Sequence, residues 1–333
     1  TSAGIIFARN LGLGSMDRLS CDAAADGSGG TMFRSCCPVL EPAMFRALKV
    51  PCLLTAALIA SASTPALSSD HGDTPLLINA GRRDALITDL HAFTSGDNLV
   101  IALCVNPAIP TTATSYKFAS DLEFRVSIDN DSEVSFADPG MNATYGGTVL
   151  NPARIKADTE ILIRFNPQGT PLVAVQSARG AIRDMRVFAG LRDDPFIRGP
   201  RIGRNVAAIV LEFPLHHVIE DQPTLLIWAT SGVRHLPGGF QDHAGRSLRS
   251  MFPENDAMNT QTPARQAAQF GAPDVMIYDT SRPAAYPNGR LLTDDVVDLV
   301  GDPRVLGNDF PFPTENDVPF LGEFPYLAPP QQP

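Results

Sequence analysis

Leu122, Phe124, Val126 and Ile128 alternate strictly with Glu123, Arg125, Ser127 and Asp129, the two-residue period of an antiparallel strand buried on one face. Ile87 to Phe93 alternates in the same way, Gly96-Asp97-Asn98 supplies a turn, and Leu99 to Val105 is an unbroken apolar run. Together they predict a hairpin leading into a fully buried strand. Glu160 to Phe165 and Pro171 to Gln176 predict a second pair about the turn Asn166-Pro167-Gln168-Gly169, and Val206 to Phe213 and Thr224 to Thr230 two more buried strands. Helical signals are few. Pro214 to Asp221 predicts a turn or two begun by proline, and Pro263 to Phe270 a second short helix. Strands that do not alternate with long helices predict an all-β, antiparallel β-sandwich rather than a doubly wound fold. From Pro273 onward apolar residues thin out and prolines multiply, so this tail is expected to wrap the sandwich and bury Phe310, Phe312, Phe320, Phe324 and Tyr326.

The first third has another character. Residues 1–43 are rich in Gly, Ser and Ala without either period, and read as an extension with no fold of its own, as from a gene start placed too far upstream. Its Cys21, Cys36 and Cys37 have no nearby His and fit no zinc spacing. From Met44 the pattern is that of a secretory signal peptide: Arg46 and Lys49, then the apolar Val50 to Ala60, then small residues ending in Ala66-Leu67-Ser68. The apolar run is well short of the roughly 20 residues that cross a bilayer. Residues 44–68 are thus expected to be removed, leaving residues 69–333 as one periplasmic or secreted domain without a membrane span. A division near residue 200 into paired sandwiches is the alternative.

Past Ser68 the one cysteine is Cys104, inside an apolar run, which reads as a small buried hydrophobe. A chain of this length can bury a large core without disulfides. Residues 69–333 carry 21 Lys and Arg against 32 Asp and Glu, a net charge of −11. Such a surface repels nucleic acid and anionic membranes and is compatible with cations.

Several segments resemble an uncharacterised bacterial exported family, domain-of-unknown-function family 4331. They are Ser69-Asp70-His71-Gly72-Asp73-Thr74-Pro75, Thr88-Asp89-Leu90-His91-Ala92-Phe93, and Val187 to Phe196 with its Leu191-Arg192-Asp193-Asp194-Pro195 core. Further on come Tyr286-Pro287-Asn288-Gly289-Arg290, Thr293-Asp294-Asp295-Val296-Val297-Asp298, Asn316-Asp317-Val318-Pro319-Phe320 and Phe324-Pro325-Tyr326-Leu327. What the resemblance implies is limited to export and a β-rich fold, and it points to no particular activity. The chain departs from the family at His91, where Tyr is usual, and along Gln241 to Phe252. More faintly, the first half is similar to β-sandwich carbohydrate-binding and haem-binding domains.

Two clusters carry candidate chemistry. Asp70, His71, Asp73, Asp89 and His91 combine carboxylate and imidazole, a set suited to zinc, iron or manganese. Asp89 and His91 would share one face of a strand about 6 to 7 Å apart. The bland reading of the same residues is hydrogen bonding that fixes turns and the chain start. Asp193, Asp194, Asp294, Asp295, Asp298 and Asp317, with Asn316, form a second, all-oxygen set of the kind calcium accepts, though without EF-hand spacing. Its bland reading is Asp holding tight turns, with Arg192 beside Asp193 as a buried structural pair. No G-x-S-x-G elbow or C-x-x-C-H is present. His216-His217 reads as one exposed and one packed ring, His235 and His243 as surface loop residues, and Trp228 as core.

The leading functional expectation is an exported, non-catalytic β-sandwich that binds a glycan or an extracytoplasmic protein, with a divalent cation, calcium or zinc, as a structural cofactor. The alternative is a metal-dependent hydrolase built on His71, Asp73, Asp89 and His91.

Overall fold

The computed structural model describes residues 74–195, 203–219, 221–249, 252–300 and 315–333, all within one compact unit. The signal segment, Asp70, His71, Asp73, Phe196, Phe310 and Phe312 lie outside the described residues.

The chain enters through a one-turn helix α1 (Pro75–Asn79) and forms the hairpin β1 (Ile87–Ser95) and β2 (Asn98–Ile109) about the Gly96-Asp97 turn. Next come β3 (Leu122–Asp129), a small ribbon of β4 (Val134–Ser135) and β5 (Thr148–Val149) with α2 (Pro139–Tyr145) between, and the hairpin β6 (Thr159–Phe165) and β7 (Pro171–Ser177). Strands β8 (Arg186–Asp193), β9 (Asn205–Pro214) and β10 (Thr224–Val233) follow, then β11 (Asp242–Ala244), α3 (Pro263–Phe270), β12 (Met276–Asp279) and α4 (Val296–Val300).

All strand pairs are antiparallel, and they make the expected sandwich. One sheet runs β1-β2-β9-β8; the other runs β11-β10-β3-β6-β7, with β12 beside β11 on the far edge of β10. Each sheet draws strands from both sides of residue 200, so the described residues are one sandwich and not a pair. The core between the sheets follows the alternation: Leu122, Phe124, Val126 and Ile128 are buried, and Phe118 stacks on Phe165 with ring centroids 4.2 Å apart. Cys104 and Trp228 are buried as expected.

Three elements depart from the sequence reading. The helix expected over Pro214 to Asp221 is a single 3-10 turn, Leu215–His217, because Pro214 ends β9. Strand β8 was not anticipated, since Gly190 and Arg192 interrupt its apolar pattern, yet it pairs along its whole length with β9. His243, expected on a surface loop, is fully buried in β11, where its Nε2 lies 2.7 Å from the Asp274 carbonyl oxygen. His235 is exposed, and of the next pair His216 is exposed and His217 half-buried.

Strand β1 is an edge of its sheet, and an open edge carries unpaired backbone groups. Ala92 closes it by exchanging both backbone hydrogen bonds with Arg290, at 3.1 and 2.9 Å. Gly289 makes this approach possible. Its φ is 66°, and a Cβ there would sit 2.7 Å from the Ala92 carbonyl oxygen. The tail then covers the face of β1 turned away from the second sheet: Phe93 meets Tyr326 edge-on at 5.6 Å, and Arg186 lies over Phe324. Phe320 and Phe324 are half-buried against the core and Tyr326 is buried, as the wrap requires. Among the described residues no helix is long and apolar enough to cross a membrane.

Candidate functional site

Antiparallel order brings the start of β1 and the finish of β8 to the same end of the four-stranded sheet. Asp89 and His91 do share one side of β1, as period two requires, and both are buried. Their partners come from 200 residues downstream. Arg290 Nη2 donates to Asp89 Oδ1 at 2.9 Å, and His91 Nδ1 lies 3.0 Å from the Leu291 carbonyl oxygen. A carbonyl can only accept, so Nδ1 carries the proton and Nε2 the lone pair. Burial, then the neighbouring Arg290 charge, pulls the imidazole pKa down to about 3, so His91 is neutral. Nε2 has no hydrogen-bond partner among the described residues. A cation at this point would face the Arg290 guanidinium already held by Asp89. The pair therefore behaves as a clamp on the 289–291 segment.

The second cluster divides in two. Asp193 is buried at the end of β8 and accepts from Asn316 Nδ2 at 2.7 Å and Gln331 Nε2 at 3.0 Å. It does not pair with Arg192, whose guanidinium lies over Phe188 at 4.0 Å, so the structural pair proposed from adjacency is absent. Burial raises the Asp193 pKa to about 7, and Asp317 and Asp194 push the same way against the two amide donors. Asp317 itself is exposed and accepts from the Gly203 backbone N–H. Asn205 exchanges two hydrogen bonds with the Gln331 backbone, so the chain end is fastened to both β8 and β9.

Asp294 and Asp295 form the other half. Asp294 Oδ2 accepts from the backbone N–H groups of Tyr286 and Leu291, holding the turn that presents Arg290. Asp295 Oδ1 accepts from Val297 and Asp298 at the start of α4, while Asp298 stays on its exposed side. The expected role of Asp in holding tight turns thus describes one oxygen of Asp294, and Asp295 uses one oxygen in the same way at the start of a helix.

Both residues also border a cavity of about 520 Å³. Its polar wall is Arg290, Thr293, Asp294, Asp295, Glu315 and Asn316; its apolar wall is Leu292, Val296, Val318, Pro319 and Phe320, with Pro195 beyond the end of β8. Asn316 is oriented from behind, because its Nδ2 donates to both Asp193 Oδ2 and the Val318 carbonyl oxygen. That leaves Asn316 Oδ1 as a buried acceptor with no partner among the described residues. Four of the segments singled out in the sequence meet here. Glu315 lies outside every segment singled out in the sequence, and Arg290 and Phe320 belong to such segments but were not assigned to a site, since neither is a carboxylate or an imidazole.

Among the described residues, three carboxylates come within ion-sharing distance at Asp129, Asp131 and Asp158, not at the cavity. Asp129 is already saturated there. Its two oxygens accept from the Asp131, Ser132 and Lys156 backbone and from Ser132 Oγ, which fixes the loop after β3. No family model, no curated protein and no solved structure matches this chain.

Proposed function

We propose that this protein is a non-catalytic, exported binding protein whose ligand is a small polyhydroxylated molecule of the glycan class, held in the cavity between Arg290, Asn316 and Phe320. The observation that carries the reading is the split character of the cavity wall: oxygen acceptors and one guanidinium on one side, Phe320 and aliphatic groups on the other. Hydroxyl donors match the acceptors, the C–H face of a sugar ring matches Phe320, and about 520 Å³ lies within the range of small-molecule sites. Export rests on the leader pattern of residues 44–68.

A binding role is favoured over the hydrolase because Asp89 and His91 are engaged with Arg290 and Leu291. Among the described residues the cavity carboxylates do not form a group of three close enough to share an ion, so the proposed ligand is the polyhydroxylated molecule and not a metal.

Calorimetric titration with a panel of monosaccharides and short oligosaccharides tests the reading. Saturable binding that Asp294→Asn and Phe320→Ala each weaken at least tenfold supports it. Absence of binding across the panel, or binding confined to amines lacking hydroxyls, rejects the glycan assignment. Amino-terminal sequencing of the protein recovered from the periplasm should begin near Ser69.

A further inference from the structure

Each sheet ends in edge strands, whose outward backbone groups are a template for another chain unless they are covered, charged or kept short. Three of the four edges are managed in one of these ways. Strand β1 is closed by Arg290; β11 and β12 have three and four residues and carry Asp242 and Asp279; β8 carries Arg186, Arg192 and Asp193, and the Asp193 N–H bonds to the Ala328 carbonyl oxygen. Strand β7, Pro171-Leu172-Val173-Ala174-Val175-Gln176-Ser177, is seven residues long, bears no charge and has proline only at its first position. Leu172 is 55% exposed, Ala174 and Gln176 are exposed, and Val173 and Val175 are half-buried.

The phase of the β6–β7 ladder determines what this edge offers. Asn166 N–H donates to the Thr170 carbonyl oxygen at 3.1 Å and Ala178 N–H to that of Asp158 at 3.3 Å. Between them the register sets Arg164 opposite Leu172, Leu162 opposite Ala174 and Glu160 opposite Gln176. Bonded pairs alternate in an antiparallel ladder, so these three pairs bond, and the N–H and C=O groups of Val173 and Val175 point outward. Those groups have no further backbone partner among the described residues. Ser177 also turns its N–H outward, while its carbonyl oxygen accepts from Gly180 N–H at 3.2 Å. Pro171 turns out a carbonyl and has no N–H to offer.

This order of donors and acceptors is complementary to itself. With two copies antiparallel and Ala174 on a two-fold axis, Val173 of each faces Val175 of the other and exchanges both backbone hydrogen bonds. Ser177 N–H then meets the Pro171 carbonyl oxygen, and the donor that proline lacks falls opposite the Ser177 carbonyl, which Gly180 already satisfies. An axis at Val173 would instead leave the Val175 carbonyl facing Pro171, and an axis at Val175 would aim the Val173 N–H at the occupied Ser177 carbonyl. Side chains agree with the first arrangement: Ala174 is small enough to meet itself on the axis, and Leu172 lies beside Gln176 of the other copy. We propose that β7 is a homodimer seam, a second copy of this chain pairing antiparallel about Ala174 so that two sheets become one. The contact is isologous and closes at two copies.

Sedimentation equilibrium of the full chain tests the seam. A single pair of strands covers less than the roughly 800 Å² per partner of a standard interface, so a reversible monomer–dimer equilibrium with a micromolar dissociation constant is expected. Ala174→Asp sets two like charges together on the axis, and Val173→Pro removes an outward N–H that β6 does not use. Each should weaken the dimer at least tenfold. Because Val173→Pro can disturb the strand, Ala174→Asp, at an exposed side chain, carries the comparison, with its dilute thermal midpoint unchanged. Amide exchange at Val173, Val175 and Ser177 should slow as the wild-type concentration rises. A wild type that stays monomeric up to about 1 mM, a dimer that survives Ala174→Asp, or a dimer without added protection at those three amides would overturn the proposal.

Discussion

Arg290 and Asp89, 201 residues apart in the chain, meet in a buried ion pair at 2.9 Å on the edge strand that Arg290 also closes through its backbone. Truncating one partner of such a pair leaves a buried charge uncompensated, so Asp89→Ala should lower the unfolding free energy by about 3–5 kcal/mol. Urea denaturation of the variant and of Asp89→Asn/Arg290→Gln measures this, the double variant recovering part of the loss. The loss should be the same with and without EDTA. A chelator-dependent midpoint in the wild type would instead restore the metal reading of Asp89 and His91.

Gly289 is the residue that lets Arg290 reach Ala92. Gly289→Ala introduces a Cβ against the Ala92 carbonyl and the Tyr278 ring at a φ of 66°, and should cost about 1–3 kcal/mol. Hydrogen exchange should show the loss concentrated in β1 and the 286–291 segment.

His91 should remain neutral far below the usual imidazole range. With a folded pKa of about 3 against 6.5 for the free side chain, its contribution to stability is present above pH 6.5 and is lost as the pH falls toward 3. Nitrogen-15 spectra should report the Nδ1–H tautomer with no titration between pH 8 and 4, and His91→Phe should remove this part of the acid sensitivity.

Asp193 acts in the opposite direction. Its folded pKa of about 7 exceeds the 3.8 of an exposed carboxyl, so the folded state holds a proton that the unfolded state releases. The corresponding stability is present below pH 3.8 and is lost as the pH rises through 7. Asp193→Asn should flatten this slope in urea midpoints measured across the range. The amides of Asn316 and Gln331 and the carboxylates of Asp194 and Asp317 surround the group, so the C-terminal segment should become easier to cleave by protease as Asp193 ionises.

Much of the sandwich was legible because burial on one face writes itself into the sequence with a period of two. In strand β3 Leu122, Phe124, Val126 and Ile128 point inward, and in the β6–β7 hairpin, turned by Asn-Pro-Gln-Gly, the inward positions are apolar except for the hydrogen-bonded pair Thr159 and Ser177 at its open end. The pattern failed where burial is satisfied by hydrogen bonds instead. Gln241, Asp242 and His243 are all interior, held by the Val233 N–H, the Thr74 and Ile87 donors and the Asp274 carbonyl, and nothing in their polarity announces that. The acidic cluster was partly legible. Asp294, Asp295 and Asn316 do meet, but Asp89 and His91 were matched with each other rather than with Arg290 and Leu291, since no local signal identifies a partner 200 residues away.

The closure of β1 by residue 290 also sets an order of events during synthesis. The first strand of the sandwich emerges early, with its outer hydrogen-bonding edge exposed, and stays so until the last fifth of the chain exists to cover it. An unfinished polypeptide therefore offers a template for wrong pairing, which chaperones would have to shield. Shortening the protein before Gly289 should then yield aggregates rather than a smaller soluble domain.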